Sequence, residues 1–170
     1  MDYFLEALYG EKGTVIPKDD DWFAPLIGEW DFDYKDCYLN DDVNFPQRIV
    51  KGEWIFRRIL NGMGIEDMFI CPSRENMKTN PQADGEYGVG LRMYNSEKHC
   101  YDMVYACENK FVNICFKMKD GILTGTVLDN PSNKWRFVER NEDSFLWQNI
   151  TVSETGAIKI NCEVYAKRRK

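Results

Sequence analysis

Regularly spaced turn chemistry constrains this chain more than any other feature. From Gly28 onward, turn-forming clusters recur at Asn40-Asp41-Asp42, Asn61-Gly62-Met63-Gly64, Asn95-Ser96-Glu97-Lys98, Glu108-Asn109-Lys110 and Asp120-Gly121. They continue at Asp129-Asn130-Pro131-Ser132-Asn133, Asn141-Glu142-Asp143 and Ser153-Glu154-Thr155-Gly156, and a longer polar loop runs from Ser73 to Gly85. Nine breaks delimit ten runs rich in Val, Ile, Phe, Tyr and Trp, the residues that suit a pleated, half-buried surface. Asp120-Gly121 is a strong hairpin signal, and all six prolines fall outside the run interiors, where they would remove a ladder donor.

Connections this short leave no room for helical crossovers, so successive strands must pair antiparallel. Ten consecutive hairpins close into a barrel or leave two open edges. Closure removes the edges and is preferred to a sandwich. The expected fold is therefore all-β, a ten-stranded antiparallel up-and-down barrel over residues 28–170. Residues 1–27 are expected to supply a lead-in with a short helix at Tyr3–Tyr9, stopped by Gly10, and one further turn at Trp22–Ile27.

Within the runs, period-2 alternation separates a core face from a wet one. Trp30, Phe32 and Tyr34 oppose Glu29, Asp31, Asp33 and Lys35, and Ile158, Ile160, Cys162, Val164 and Ala166 oppose Lys159, Asn161, Glu163 and Lys167. Tyr101–Ala106 and Phe145–Val152 are apolar on both faces. Their outer sides offer a surface for a protein partner, and a homodimer is one arrangement that would use it.

The chain has 170 residues, 44% of them hydrophobic and 14% aromatic, enough to bury a core without staples. A net charge of −6 disfavours a nucleic-acid partner. The acids in Met1–Glu6 do not suit a secretory signal, and no apolar stretch approaches the ~18 residues of a spanning helix. A cytoplasmic protein with no membrane association is expected. The six cysteines (37, 71, 100, 107, 115, 162) would then be reduced; they contain no Cys-x-x-Cys and read as small buried hydrophobes, with no metal or other cofactor expected.

Leu26-Ile27-Gly28-Glu29-Trp30, opening the first strand after a short turn, resembles the Gly-x-Trp signature of the calycin superfamily, which includes lipocalins and fatty-acid-binding proteins. The resemblance implies that Trp30 closes one end of the barrel beneath an Arg from the final strand, and Arg168 stands where that Arg would be. A second copy, Gly52-Glu53-Trp54, lies on the next strand. The runs Gly52–Phe56 through Gly64–Asp67, Gly90–Asn95, Trp135-Arg136-Phe137 and Ser144–Trp147 are similar to a family of bacterial lipocalin-like proteins of undefined function, over about residues 26 to 168. The resemblance implies a barrel that binds a hydrophobic ligand, by analogy of fold. Some calycin barrels hold haem through a late His; this chain has none after His99, so that role does not carry over.

His99, the only histidine, sits in a turn and reads as solvated rather than catalytic. Because adjacent strand residues face opposite ways, one of Glu66 and Asp67 points inward, and Arg92, between Gly90 and Tyr94, does the same. A buried Arg must meet an internal acid, water or a ligand anion. In the binding interpretation Arg92, with Asp67, Arg136 and Gln148, orients the polar head of an amphipathic ligand. Trp54, Phe56, Tyr101, Tyr105 and Trp147 then surround its apolar body. Two alternatives remain: an isomerase or lyase using Asp67 or Glu66 with Arg92 or a tyrosine, and a filled barrel acting only through protein contacts. The glycines at 85, 88 and 90 are expected to let a strand bend at a barrel corner.

Overall fold

The computed structural model describes residues 2–10, 13–37 and 48–170. Ten strands, β1 (Gly28–Asp36), β2 (Ile49–Ile59), β3 (Gly64–Cys71), β4 (Glu86–Asn95), β5 (Cys100–Cys107), β6 (Lys110–Lys119), β7 (Ile122–Val127), β8 (Asn133–Arg140), β9 (Ser144–Val152) and β10 (Ile158–Arg168), form a closed antiparallel barrel in which each strand pairs with its sequence neighbours and β1 pairs with β10. The turn cluster expected at Asn40-Asp41-Asp42 lies outside the described residues. The Asp120-Gly121 hairpin shows why that dipeptide was placed there: both residues have positive φ, 50° and 77°, the conformation that matches the twist of the flanking strands.

Helix α1 (Tyr3–Tyr9) begins where the Asp2 side chain accepts from Phe4 N at 2.9 Å and ends at Gly10, as the sequence pattern predicts. None of its residues is buried. No helix among the described residues is long and apolar enough to cross a membrane. The lead-in instead delivers two residues to one end of the barrel. A short 3-10 turn at Ala24–Leu26 seats Phe23 and Leu26, both fully buried, as a plug.

Trp30 closes that same end. It is fully buried, its Nε1 donates to Leu26 O at 2.7 Å, and the Arg168 guanidinium stacks over its ring at 4.1 Å. Arg168 is directly opposite Trp30 in the β1–β10 register and donates to Ile27 O, Pro25 O and Glu142 O. The expected aromatic–arginine closure is therefore present.

The last strand departs from the expected alternation. A bulge between Ile160 and Cys162 shifts its register against β9, so Cys162, Val164 and Ala166 stay in the core while Ile158 is 54% exposed. The glycines of β4 also serve a different purpose from bending. A Cβ at Gly90 would stand 2.2 Å from an Asp67 carboxylate oxygen, and one at Gly88 2.2 Å from the Tyr105 hydroxyl. Each glycine makes room for the polar end of a neighbour's side chain.

Candidate functional site

The barrel interior divides into a filled half and an open half. In the filled half, next to Trp30, Phe23 meets Tyr101, Phe116 and Phe137 edge-on at centroid distances of 5.0, 5.4 and 5.9 Å. Arg92 lies among these rings, 4.8 Å from the Phe23 centroid and 5.4 Å from that of Phe56. Its Nη1 donates to Asp67 Oδ2, and Trp54 Nε1 donates to Asp67 Oδ1. Arg92 and Asp67 are each 1% exposed. The internal acid is thus the partner of the inward arginine's Nη1, while its Nε is buried without a hydrogen-bond partner.

The open half is a cavity of about 900 Å³ at the end opposite Trp30. Its walls are Tyr34, Trp54, Phe69, Tyr105, Trp135 and Trp147. Adjacent rings meet edge-on: Trp54 with Trp147 at 5.8 Å, Trp135 with Trp147 at 5.6 Å and Tyr105 with Trp135 at 5.4 Å. Among the described residues the Trp147 Nε1 and Asp36 Oδ1 atoms are buried without hydrogen-bond partners, and both residues line this cavity.

Two ion-pair groups mark the rim. Arg48 bridges Asp36 and Asp84, at 2.6 Å to Asp36 Oδ2 and with paired bonds of 2.9 and 2.8 Å to the Asp84 carboxylate. Glu86 accepts from the Tyr105 hydroxyl at 2.7 Å and from Lys110. With Glu108 also at the rim, four acids face two bases among the described residues, and each base is already engaged by an acid. Burial is the main force holding the wall phenols Tyr34 and Tyr105 above the ordinary tyrosine range, and it pushes the Cys71 thiol up to about 12 and the Cys162 thiol up to about 11. At neutral pH these groups stay protonated, so the two phenols offer donors and the Cys71 and Cys162 thiols are not thiolate nucleophiles.

The segment after β3, which supplies Pro72, Met77 and residues 81–85 to the rim, is pinned to the outer wall through Glu53. Arg74 N and Nε donate to Glu53 Oε1, and Nη2 to Oε2, all at 2.8 Å. These bonds hold the Glu53 carboxyl down at about 2, against an ordinary 4.5. The folded value lies below the unfolded one, so the clamp contributes fully above about pH 4.5 and is lost as pH falls toward 2. Acid titration of the melting temperature should show a loss across that window which Glu53→Gln flattens. Parallel titrations of the two proteins would show that the clamp carries none of the acid sensitivity.

The sequence-predicted residues separate into three groups. Trp54, Tyr105 and Trp147 line the cavity. Phe56, Asp67, Arg92 and Tyr101 lie in the filled half, with the Trp54 indole between Asp67 and the cavity. Arg136 and Gln148 do not join the site. They stand opposite each other on the faces away from Phe137 and Trp147, bonded Nε to Oε1 at 2.9 Å, and Gln148 also reaches Glu163. Glu66 likewise sits on the outer face, opposite Arg57, so it is Asp67 that points inward. His99 is in a turn with its side chain 73% exposed, 3.2 Å from Asp20.

The rim residues Asp36, Arg48, Asp84, Glu86 and Lys110 were missed because they come from strand ends and loops that only barrel closure brings together. A signal was available: the mouth must lie opposite Trp30, which selects inward positions at the far strand ends.

No protein-family model matches the chain, and no curated protein is similar to it in sequence. Among solved structures, the S-type phycobiliprotein lyase CPES from Guillardia theta is similar with a TM-score of 0.58 and 11% identity, over 89% of this chain and 93% of that one. Rv2717c from M. tuberculosis is similar with a TM-score of 0.52 and 10% identity, over 91% of this chain and 99% of that one. At such identities the likeness concerns backbone architecture alone, and what it supports is the ten-stranded barrel fold.

Proposed function

We propose that this chain is a binding protein whose open half holds a small, mostly apolar ligand with a flat conjugated or aromatic face and a neutral or cationic polar end. The observation that carries this is the cavity of about 900 Å³ walled by Trp54, Trp135 and Trp147, within the size range of small-molecule sites. The unpartnered Trp147 Nε1 asks for an acceptor on the ligand, and Asp36 Oδ1 for a donor. Among the described residues the rim disfavours an acidic head, because its two cations are already bound to carboxylates and acids outnumber them. Of the partners expected for Arg92, the internal acid Asp67 is the one it bonds, so Arg92 is not the anchor in this reading. The resemblance to bacterial lipocalin-like proteins belongs to the same proposal.

One structural relative is a lyase, so the fold alone does not choose between binding and catalysis. The cavity chemistry favours binding. Asp67 is bonded to Arg92 and Trp54, Glu66 is outside, and the rim carboxylates of Asp36, Asp84 and Glu86 are salt-bridged. A homodimer and a cytoplasmic location remain parts of the proposal without a role in this argument.

The test is quenching of tryptophan fluorescence by a panel of aromatic amphiphiles matched in size and differing in charge. Neutral and cationic members should bind at least about tenfold more tightly than acids, a difference of ~1.4 kcal/mol. Trp147→Phe should weaken binding of members that carry an acceptor. A preference for acids would overturn the charge assignment. Failure of the whole panel, with no ligand retained in native mass spectrometry of protein from its own host, would overturn the binding function.

A further inference from the structure

The β5–β6 hairpin carries a second group of chemically active side chains, on the outer wall and apart from the cavity. Tyr101, Met103, Ile114 and Phe116 face the core, so the residues alternating with them face out. Cys100 and Asp102 share that outer face of β5, and Cys115 stands opposite Asp102 on β6. One ligand atom from each of the three lies within 4.8 Å of the others, with Cys100 Sγ 3.9 Å from Asp102 Oδ1. Cys100 is buried, Cys115 half-buried and Asp102 exposed, giving a cluster with a sulfur floor and an open side.

We propose that Cys100, Cys115 and Asp102 form a binding site for a thiolate-preferring divalent ion of the zinc class, with water completing the coordination. Two thiolates and a carboxylate are a donor set suited to such an ion. Around a tetrahedral centre these donors stand roughly 3.5–3.8 Å apart, so the cluster must contract by about 1 Å, a movement within the reach of side-chain torsions. Asn95 Nδ2 already holds Asp102 Oδ2 at 2.9 Å, leaving Oδ1 turned toward Cys100.

The local charges fit as well. Three anionic donors around a dication leave one excess negative charge. Lys98, 3.9 Å from Asp102, and Lys117, whose charge acts on Cys100, offset it. Binding forms two metal–sulfur bonds and one metal–oxygen bond while each thiol gives its proton to solvent, so affinity should rise with pH.

The experiment is an anaerobic titration of the reduced full chain with cobalt(II), a spectroscopic substitute for zinc. The expected result is a sulfur-to-cobalt charge-transfer band that saturates at one equivalent and is bleached by added zinc. Cys115→Ser should abolish the band. Asp102→Asn, at an exposed position that cannot threaten the core, should weaken cobalt binding by at least about tenfold. Cys37→Ser and Cys107→Ser should leave the titration unchanged. The proposal is overturned by the absence of a thiolate band in the folded chain, by a band that survives Cys115→Ser, or by one that depends on Cys37 or Cys107. A Cys100–Cys115 disulfide forming in place of metal uptake would overturn it too.

Discussion

Arg92→Ala should destabilise the barrel by about 3–5 kcal/mol, a fall in Tm on the order of 10 °C for a chain of this size. The substitution leaves the Asp67 carboxylate buried with only the Trp54 indole for company, and it empties a space bounded by Phe23, Phe56 and Phe116. Asp67→Ala should be comparably harmful, since it strands the guanidinium. Replacing both, as Asp67→Leu with Arg92→Met, should recover most of the loss, because a buried pair is stabilising mainly relative to its own half. Urea melts of the wild type, Asp67→Leu, Arg92→Met and the double variant close the cycle and measure the coupling directly. Single substitutions that each cost under about 1 kcal/mol would mean that the pair is wetter than its 1% exposure indicates.

The second large effect is expected at Trp30. Trp30→Ala removes a fully buried indole from the closed end and should cost about 3–5 kcal/mol. Trp30→Phe separates shape from bonding. It keeps a ring beneath Arg168 but leaves Leu26 O without its 2.7 Å donor, a loss of about 1–3 kcal/mol. Equilibrium denaturation distinguishes the three proteins. A neutral Trp30→Ala would show that Phe23 and Leu26 close this end without it.

What could be read from the sequence was whatever depends on local rules. Asp120-Gly121 and the other turn clusters placed the hairpins because positive φ and missing donors are properties of single residues. Trp30 and Arg168 were legible because the Gly28-Glu29-Trp30 resemblance implies a covering Arg from the last strand, and Arg168 keeps the alternation of Cys162, Val164 and Ala166 beyond the bulge. Gln148 failed for a different reason. It lies in a strand apolar on both faces, although the neighbouring Phe145 and Trp147, one alternation apart, already set it on the opposite side. The Asp67–Arg92 contact itself could only be posed as one of several pairings, since it spans two strands and depends on the room left at Gly90. The cysteines show a non-local signal that was present and unused. Counting outward from the Glu108-Asn109 turn places Asp102 opposite Cys115, which no linear spacing motif reveals.

Trp54 belongs to both halves of the barrel, and this gives the cavity unequal walls. Its indole face looks into the open half, while its N–H is committed to Asp67 and its ring is wedged among Phe32, Phe56 and Phe69. A guest that tilted this ring would have to disturb the buried ion pair, so Trp54 behaves as an anvil. On the adjoining wall, Trp135 is only half-buried and Trp147 has an N–H with no hydrogen-bond partner. Under the proposed binding function, adjustment to differently shaped guests therefore falls to that side, and discrimination between them to the side that cannot yield.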